Sequence, residues 1–159
     1  MAQLTLSQKR VAIARDVIKQ IAAKRIFISS GEYLSGRHDD IDLNQKNINE
    51  VKPCQVCQIG SAIVSGIRLF NQVSIPFNLG ANDSKAMNLV TTWFTKKTAV
   101  MMEGAFEGGG GWLTRHYVKL SDKELEAAIN FYVKHKGDET KRSIAIWRNV
   151  IKNKGHFKP

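Results

Sequence analysis

Cys54-Gln-Val-Cys57-Gln-Ile-Gly60-Ser-Ala-Ile-Val-Ser-Gly66-Ile-Arg-Leu-Phe-Asn71 is the stretch on which the fold turns. Between Cys54 and Ile67 it carries no charge and is apolar on nearly every side. It is rich in small residues: Gly60, Ser61, Ala62, Ser65 and Gly66. A helix of that kind has no face to turn to water, so it belongs at the centre of a domain. Its glycines and serines lower helix propensity. Packing explains them, because small residues let neighbouring helices approach closely. Pro53 stands where a missing N–H costs nothing, at a first helical position. The pattern therefore predicts a helix over residues 54–71.

Upstream, Thr5 followed by Gln8 reads as a capping box. It opens a helix from about Thr5 to Lys24, with Val11, Ala14, Ile18 and Ile21 as its apolar stripe and Lys9, Arg15 and Lys19 off it. Ile26, Phe27 and Ile28, followed by Ser29, Ser30 and Gly31, read as a short extended segment or irregular connection. Residues 35–53 read as a long polar loop, with one helical turn near Asp39–Asn44. Downstream, residues 73–82 read as loop and 84–107 as helix, with a break near Thr95 where four threonines weaken the stretch. Trp93, Phe94, Val100, Met101 and Phe106 are its core candidates. The four glycines Gly108–Gly111 read as a mobile loop. Residues 112–120 fit strand or helix equally. Ser121 with Glu124 makes a second capping box, ahead of a stripe of Leu125, Ala128, Ile129 and Tyr132. Gly137 ends that helix, and Asp138 or Thr140 caps the last one. Ile144, Trp147 and Ile151 point inward there, and Gly155 stops it. The expected fold is mainly α: a compact single domain over residues 1–159, with five to six helices around a buried central helix at about 54–71 and little or no strand.

At 159 residues and 43% hydrophobic, the chain has material for a core without staples or metal. Charged residues interrupt the apolar N-terminal stretch, so it does not read as a secretion signal. No stretch approaches the roughly 20 apolar residues of a membrane span. A cytoplasmic protein with no membrane partner is expected. Net charge is +10 and uneven. Residues 1–25 carry six Lys/Arg against one acid, and the last twenty residues hold Lys141, Arg142, Arg148, Lys152, Lys154 and Lys158 with no acid. Such a surplus favours polyanions: nucleic acid, a nucleotide, or an acidic protein surface.

The motifs narrow the chemistry. Cys54-x-x-Cys57 lacks the second ligand pair that zinc needs. His38, His116, His135 and His156 are scattered. A redox motif would follow a strand, whereas a polar loop is expected here. Two small core cysteines are the plainer reading, beside metal and redox chemistry; a helix N-terminus would lower the thiol pKa of Cys54. Asp40-x-Asp42-x-Asn44 opens like a calcium loop, but Gln45 and Val51 stand where Gly and Glu are required. Glu103 and Glu107, one helical turn apart, read as surface charge or as an acid–base pair. The glycine run lacks the Lys of a phosphate-binding loop. Beside it, Trp112, Arg115, His116, Tyr117 and Lys119 mix aromatics with cations, which suits base stacking with phosphate pairing. Lys141, Arg148 and Lys152 fall on one face of the last helix and are spaced to track a phosphate backbone. These eight are the candidate ligand-binding residues. No catalytic residue, metal or cofactor is implied.

Cys54-Gln-Val-Cys57-Gln-Ile-Gly60-Ser-Ala-Ile, Met102-Glu-Gly-Ala-Phe-Glu-Gly108 and the ending Asn149-Val-Ile-Lys-Asn-Lys-Gly155-His-Phe-Lys-Pro159 together resemble a family of small uncharacterised bacteriophage and prophage accessory proteins. The segments run in order over most of the chain. After the helix glycine, the family pattern has Ala-Leu where this chain has Ser61-Ala62. The resemblance implies a protein that acts on host machinery or host immunity by binding rather than by chemistry. It carries over no catalytic residue. The expectation is a basic surface for a phosphate-rich ligand, nucleic acid or nucleotide signal. The alternatives are an inhibitor covering an acidic surface of a host enzyme, and an enzyme using Cys54/Cys57 or Glu103/Glu107.

Overall fold

The computed structural model describes residues 3–31, 33–35, 42–44, 46–48, 54–70, 75–76, 84–109, 113, 116 and 118–159. Helix α1, Leu6–Ala22, begins at the expected capping box: Thr5 Oγ1 accepts the Gln8 N–H at 3.3 Å, and Gln8 Oε1 accepts the Thr5 N–H at 2.8 Å. Its buried face is Ile13, Ala14, Asp16, Val17 and Gln20. The expected stripe is rotated from it, leaving Val11, Ile18 and Ile21 half-buried. Asp16 is tolerated inside because Arg68 pairs with it from the next helix and Gln20 Nε2 donates to it at 3.1 Å.

The segment after α1 is strand β1, Ile26–Ile28. It runs parallel to β4, Cys54–Val56, with Ile26 opposite Cys54 and Ile28 opposite Val56. Strand β2, Leu34–Ser35, pairs antiparallel on the other side of β4. Here the structure corrects the predicted helix start, since Cys54–Val56 is strand and helix α2 is Gln58–Phe70. Pairing with β1 and β2 satisfies the backbone that a helical turn would otherwise have satisfied. Cys54 and Val56 point inward while Gln55 is exposed. The helix itself is as expected. Every residue from Gln58 to Ile67 is buried, and α1, the sheet, α3 and α4 pack around it. A Cβ at Gly60 would lie 1.4 Å from the Tyr33 carbonyl oxygen, and one at Gly66 2.2 Å from the Trp93 ring.

A second, two-stranded sheet joins β3, Asp42–Leu43, to β5, Ile75–Pro76. The helical turn expected near Asp39–Asn44 is thus strand at Asp42–Leu43. Its other residues, apart from Asn44, lie outside the described ones. Helix α3, Ser84–Val90, and helix α4, Lys96–Glu107, are separated where the threonines stand, with Thr95 as the N-cap of α4. Trp93, Phe94, Val100 and Phe106 are buried as expected, and Met101 is half-buried. Gly108 and Gly109 correct the loop reading. Both adopt positive φ, and both N–H groups close on the Gly104 carbonyl, so they form the ordered cap of α4. Gly110 and Gly111 lie outside the described residues.

Helix α5, Asp122–Lys134, starts at the predicted Ser121/Glu124 capping box. Helix α6, Glu139–Lys152, starts at Asp138, whose carboxylate accepts the Lys141 N–H at 3.0 Å. Gly155 lies against the Ser7 backbone, and Glu139 accepts the Ser30 N–H at 3.3 Å. The two ends fix α6 antiparallel to α1. Ser143 Oγ donates to Gln58 Oε1 at 2.7 Å and Trp147 Nε1 to Ser61 Oγ at 3.2 Å, which sets the register of α6 on α2. The architecture is mainly α: six helices among the described residues, with little strand.

Candidate functional site

Helix α5 packs chiefly on α4, whereas α6 packs chiefly on α1. The two consecutive helices therefore diverge from the His135–Asp138 corner. Between them opens a cleft of about 630 Å³ lined by Phe131 and His135 of the α5 end and by Lys141, Ile144, Ala145, Arg148, Asn149 and Lys152 of α6. Lys141, Arg148 and Lys152 are exposed along this one wall, which spans about 16 Å at helical rise. Helix α6 holds no acid after Glu139. Arg148 and Lys152 meet no carboxylate among the described residues. Among the described residues, the carboxylate that Lys141 meets is that of Asp138, at 4.0 Å, with the Lys141 side chain 85% exposed. An ion pair so long and so open to water neutralises little.

Ile144 and Ala145 make an apolar floor, and two rings form the opposite wall. The Phe131 and His135 ring centroids are 4.6 Å apart, and Phe157 stands edge-on to Phe131 at 5.5 Å. Phe157 is placed by the C-terminal tail, which turns at Gly155 and runs back to Asn149. Asn149 Nδ2 donates to the Lys158 carbonyl at 2.6 Å, and its Oδ1 accepts the Lys158 N–H at 2.8 Å. The fold-back sets Lys158 beside the cleft wall. Burial, with Lys134 and Arg142 adding to it, holds His135 below the usual imidazole range, so it presents an uncharged ring at neutral pH.

Three of the eight expected binding residues, Lys141, Arg148 and Lys152, thus share one cleft. His116 and Lys119 are exposed in the segment ahead of α5. Lys119 lies just before the Ser121 N-cap, the far end of α5 from His135, about 20 Å away at helical rise. Trp112, Arg115 and Tyr117 lie outside the described residues. Phe131, His135 and Asn149 were missed. Their signal was present in the four-residue spacing of Phe131 and His135 and in an aromatic, Phe157, just past a helix-stopping glycine.

The other candidates change character. Arg142 sits among the C-terminal cations in sequence, but it is 5% exposed. Its Nε donates to the Phe106 carbonyl at 2.7 Å, and its guanidinium covers the Tyr132 and Phe106 rings at 4.7 and 5.1 Å. It is a buried clamp on the end of α4. Glu103 is also buried, which corrects its reading as surface charge. Helix α4 is enclosed by α2, α5 and α6, leaving that face no water. Burial, with Glu139 adding to it, raises the Glu107 pKa above 4.5, against the Gly31 N–H and Arg142, which lower it. Cys54 and Cys57 are free thiols, both buried, and burial pushes each up to about 12. The lowering expected for Cys54 is reversed: it lies in a strand, and burial raises it, as burial also raises Cys57 at the start of α2 against the N–H groups of Ile59 and Gly60. Burial therefore favours the neutral thiol, the less reactive form, at both positions.

Among the described residues no group of three or more His, Cys, Asp or Glu side chains is placed to hold a metal, and no helix is long and apolar enough to cross a membrane. No family model, curated protein or solved structure matches the chain.

Proposed function

We propose that this protein binds nucleic acid without catalysing a reaction, holding the phosphate backbone along α6. The observation that carries this reading is the shared wall of Lys141, Arg148 and Lys152, three cations in one cleft with no carboxylate on α6 beyond Glu139. Lys158, whose backbone Asn149 holds beside the cleft wall, extends the positive end. The helix dipole accounts for cations in the last turn of α6. It opposes Lys141 in the first, so helix stability alone does not explain the row. With the resemblance to phage accessory proteins, the nucleic acid would be the route by which the protein acts on host machinery or immunity.

The test is fluorescence anisotropy with labelled DNA and RNA. Three neutralised phosphates predict a loss of about 20- to 40-fold in affinity between about 50 and about 200 mM salt. Absence of binding at the lower salt, or binding indifferent to salt, overturns the reading.

A second reading rests on a different place. Leu4, Val11, Ala12 and Ile151 line a groove between α1 and α6, rimmed by Arg15 and Lys154. Leu4 remains 45% exposed there. An apolar groove with a cationic rim suits an acidic host protein surface. Recovery of one stoichiometric partner from nuclease-treated host lysate, lost with Arg15→Glu, would favour this reading over the first.

A further inference from the structure

Resting on the nucleic-acid reading, we propose that the cleft selects single strands, with an unpaired base against His135 and Phe131 and the following phosphates along Lys141, Arg148 and Lys152. The cations alone do not distinguish a single strand from a duplex. The shape and the floor do.

A duplex keeps its bases stacked inside and offers a protein surface phosphates and groove edges. A row of cations on a convex ridge would suffice for it. Here the cations form one wall of a concavity whose opposite wall is aromatic, and whose floor between them is Ile144 and Ala145. Apolar floor and ring faces give a phosphate nothing. They suit the π-face of a base, which only an unpaired nucleotide presents, and single-strand binders combine a cationic groove with such stacking platforms.

The rings are also held in place. Phe131 and His135 lie at i and i+4 on α5 with planes inclined by 40°, and Phe157 braces Phe131 edge-on. Phe157 in turn is 7% exposed and held by the tail that Asn149 fastens to α6. A platform fixed by packing loses little freedom when a base settles on it. The about 630 Å³ of the cleft falls in the range of small-molecule sites, large enough for one nucleotide unit with its neighbours extending along α6.

The test compares a fluorescein-labelled oligothymidine, an oligouridine, a duplex of the same length and a single strand of abasic sites from about 50 to about 200 mM salt, with an unlabelled mononucleotide as competitor. Wild-type protein is set beside His135→Ala, His135→Phe and Arg148→Ala, each checked for an unchanged thermal melt. The expected result is single-strand binding at least tenfold tighter than duplex. His135→Ala should lose about 5- to 150-fold on single strands, with duplex affinity and salt slope unchanged. His135→Phe should keep the affinity, because a ring is restored. Arg148→Ala should weaken every polyanion and flatten the salt slope by about one unit. Equal affinity for duplex and single strand, or for abasic and normal strands, overturns base stacking while leaving the nucleic-acid reading standing. A free mononucleotide binding as tightly as the oligomer overturns the polymer and assigns a nucleotide pocket. Absence of binding to all four probes overturns both readings.

Discussion

Arg142 shows how poorly residue type reports location. In sequence it is one cation in a basic tail; in the fold its guanidinium lies under two rings and donates to the Phe106 and His135 carbonyls. It satisfies backbone oxygens at the ends of α4 and α5 that have no helical partner. Arg142→Ala is expected to destabilise the fold by about 2–4 kcal/mol, from an orphaned carbonyl and lost cation–π contact. Urea denaturation measures it. Lysine should not rescue it fully, since one ammonium cannot reproduce the planar fork. Glu107 makes the complementary case. Its carboxylate is half-buried near the C-terminal end of α4, where the helix dipole adds to desolvation in disfavouring charge. A pKa raised in the fold means stability that is complete below the unfolded value and lost as pH rises through the folded one. Glu107→Gln should therefore melt higher than wild type at about pH 7, and the gap should close below about pH 4.5. A gap that widened in acid would contradict the assigned cause. The spacing of Glu103 and Glu107 was readable from the sequence. Their burial was not, because it depends on which helices cover α4.

At the scale of elements, α2 is where sequence and structure agree most closely. An uncharged run of small residues read as the central helix, and it is fully buried from Gln58 to Ile67. The reason is visible at two glycines. Gly60 lets the Tyr33 backbone cross α2, and Gly66 seats the Trp93 indole. Gly60→Ala should cost more than about 3 kcal/mol, above the usual overpacking range, because a backbone carbonyl cannot rotate away. Gly66→Ala should cost less, about 1–3 kcal/mol, since the obstacle is a side chain. Denaturant midpoints of the two variants would reverse that order if the close approaches were not as described. The capping boxes at Thr5 and Ser121 and the break at Thr95 were equally legible, because each is a local bargain between a side-chain oxygen and the first free N–H groups. Strand β4 was not. Three residues are too few to show a period, and Pro53 ahead of them suits a helix start as well as a strand entry. Only the distant partner β1 chose between the two.

Across the whole molecule, the charge surplus acquires a direction. The acids of α5 lie in its first half, at Asp122, Glu124 and Glu126, where they favour the helix N-terminus and where Glu124 meets Lys97. The opposite end of α5 and the length of α6 are left positive. Arg148→Glu combined with Lys152→Glu should abolish polyanion binding while lowering stability by about 1 kcal/mol, because both side chains are exposed and the cost is that of an anion in the last helical turn. The control, Lys46→Glu in the turn after β3, should leave binding unchanged. An equal loss in the control would mean that net charge, not the cleft, drives association. The sequence alone determined the helical class, the central helix, the caps and the one-sided row on α6, since each is set by residues within a turn or two of one another. Tertiary structure alone decided that α5 and α6 part at their corner, that Arg142 and Glu103 go inside, and that Phe131 and His135 face the cationic wall with Phe157 of the returning tail braced against Phe131. Those outcomes follow from which helix packs on which, and that is settled by the competition of whole faces for burial.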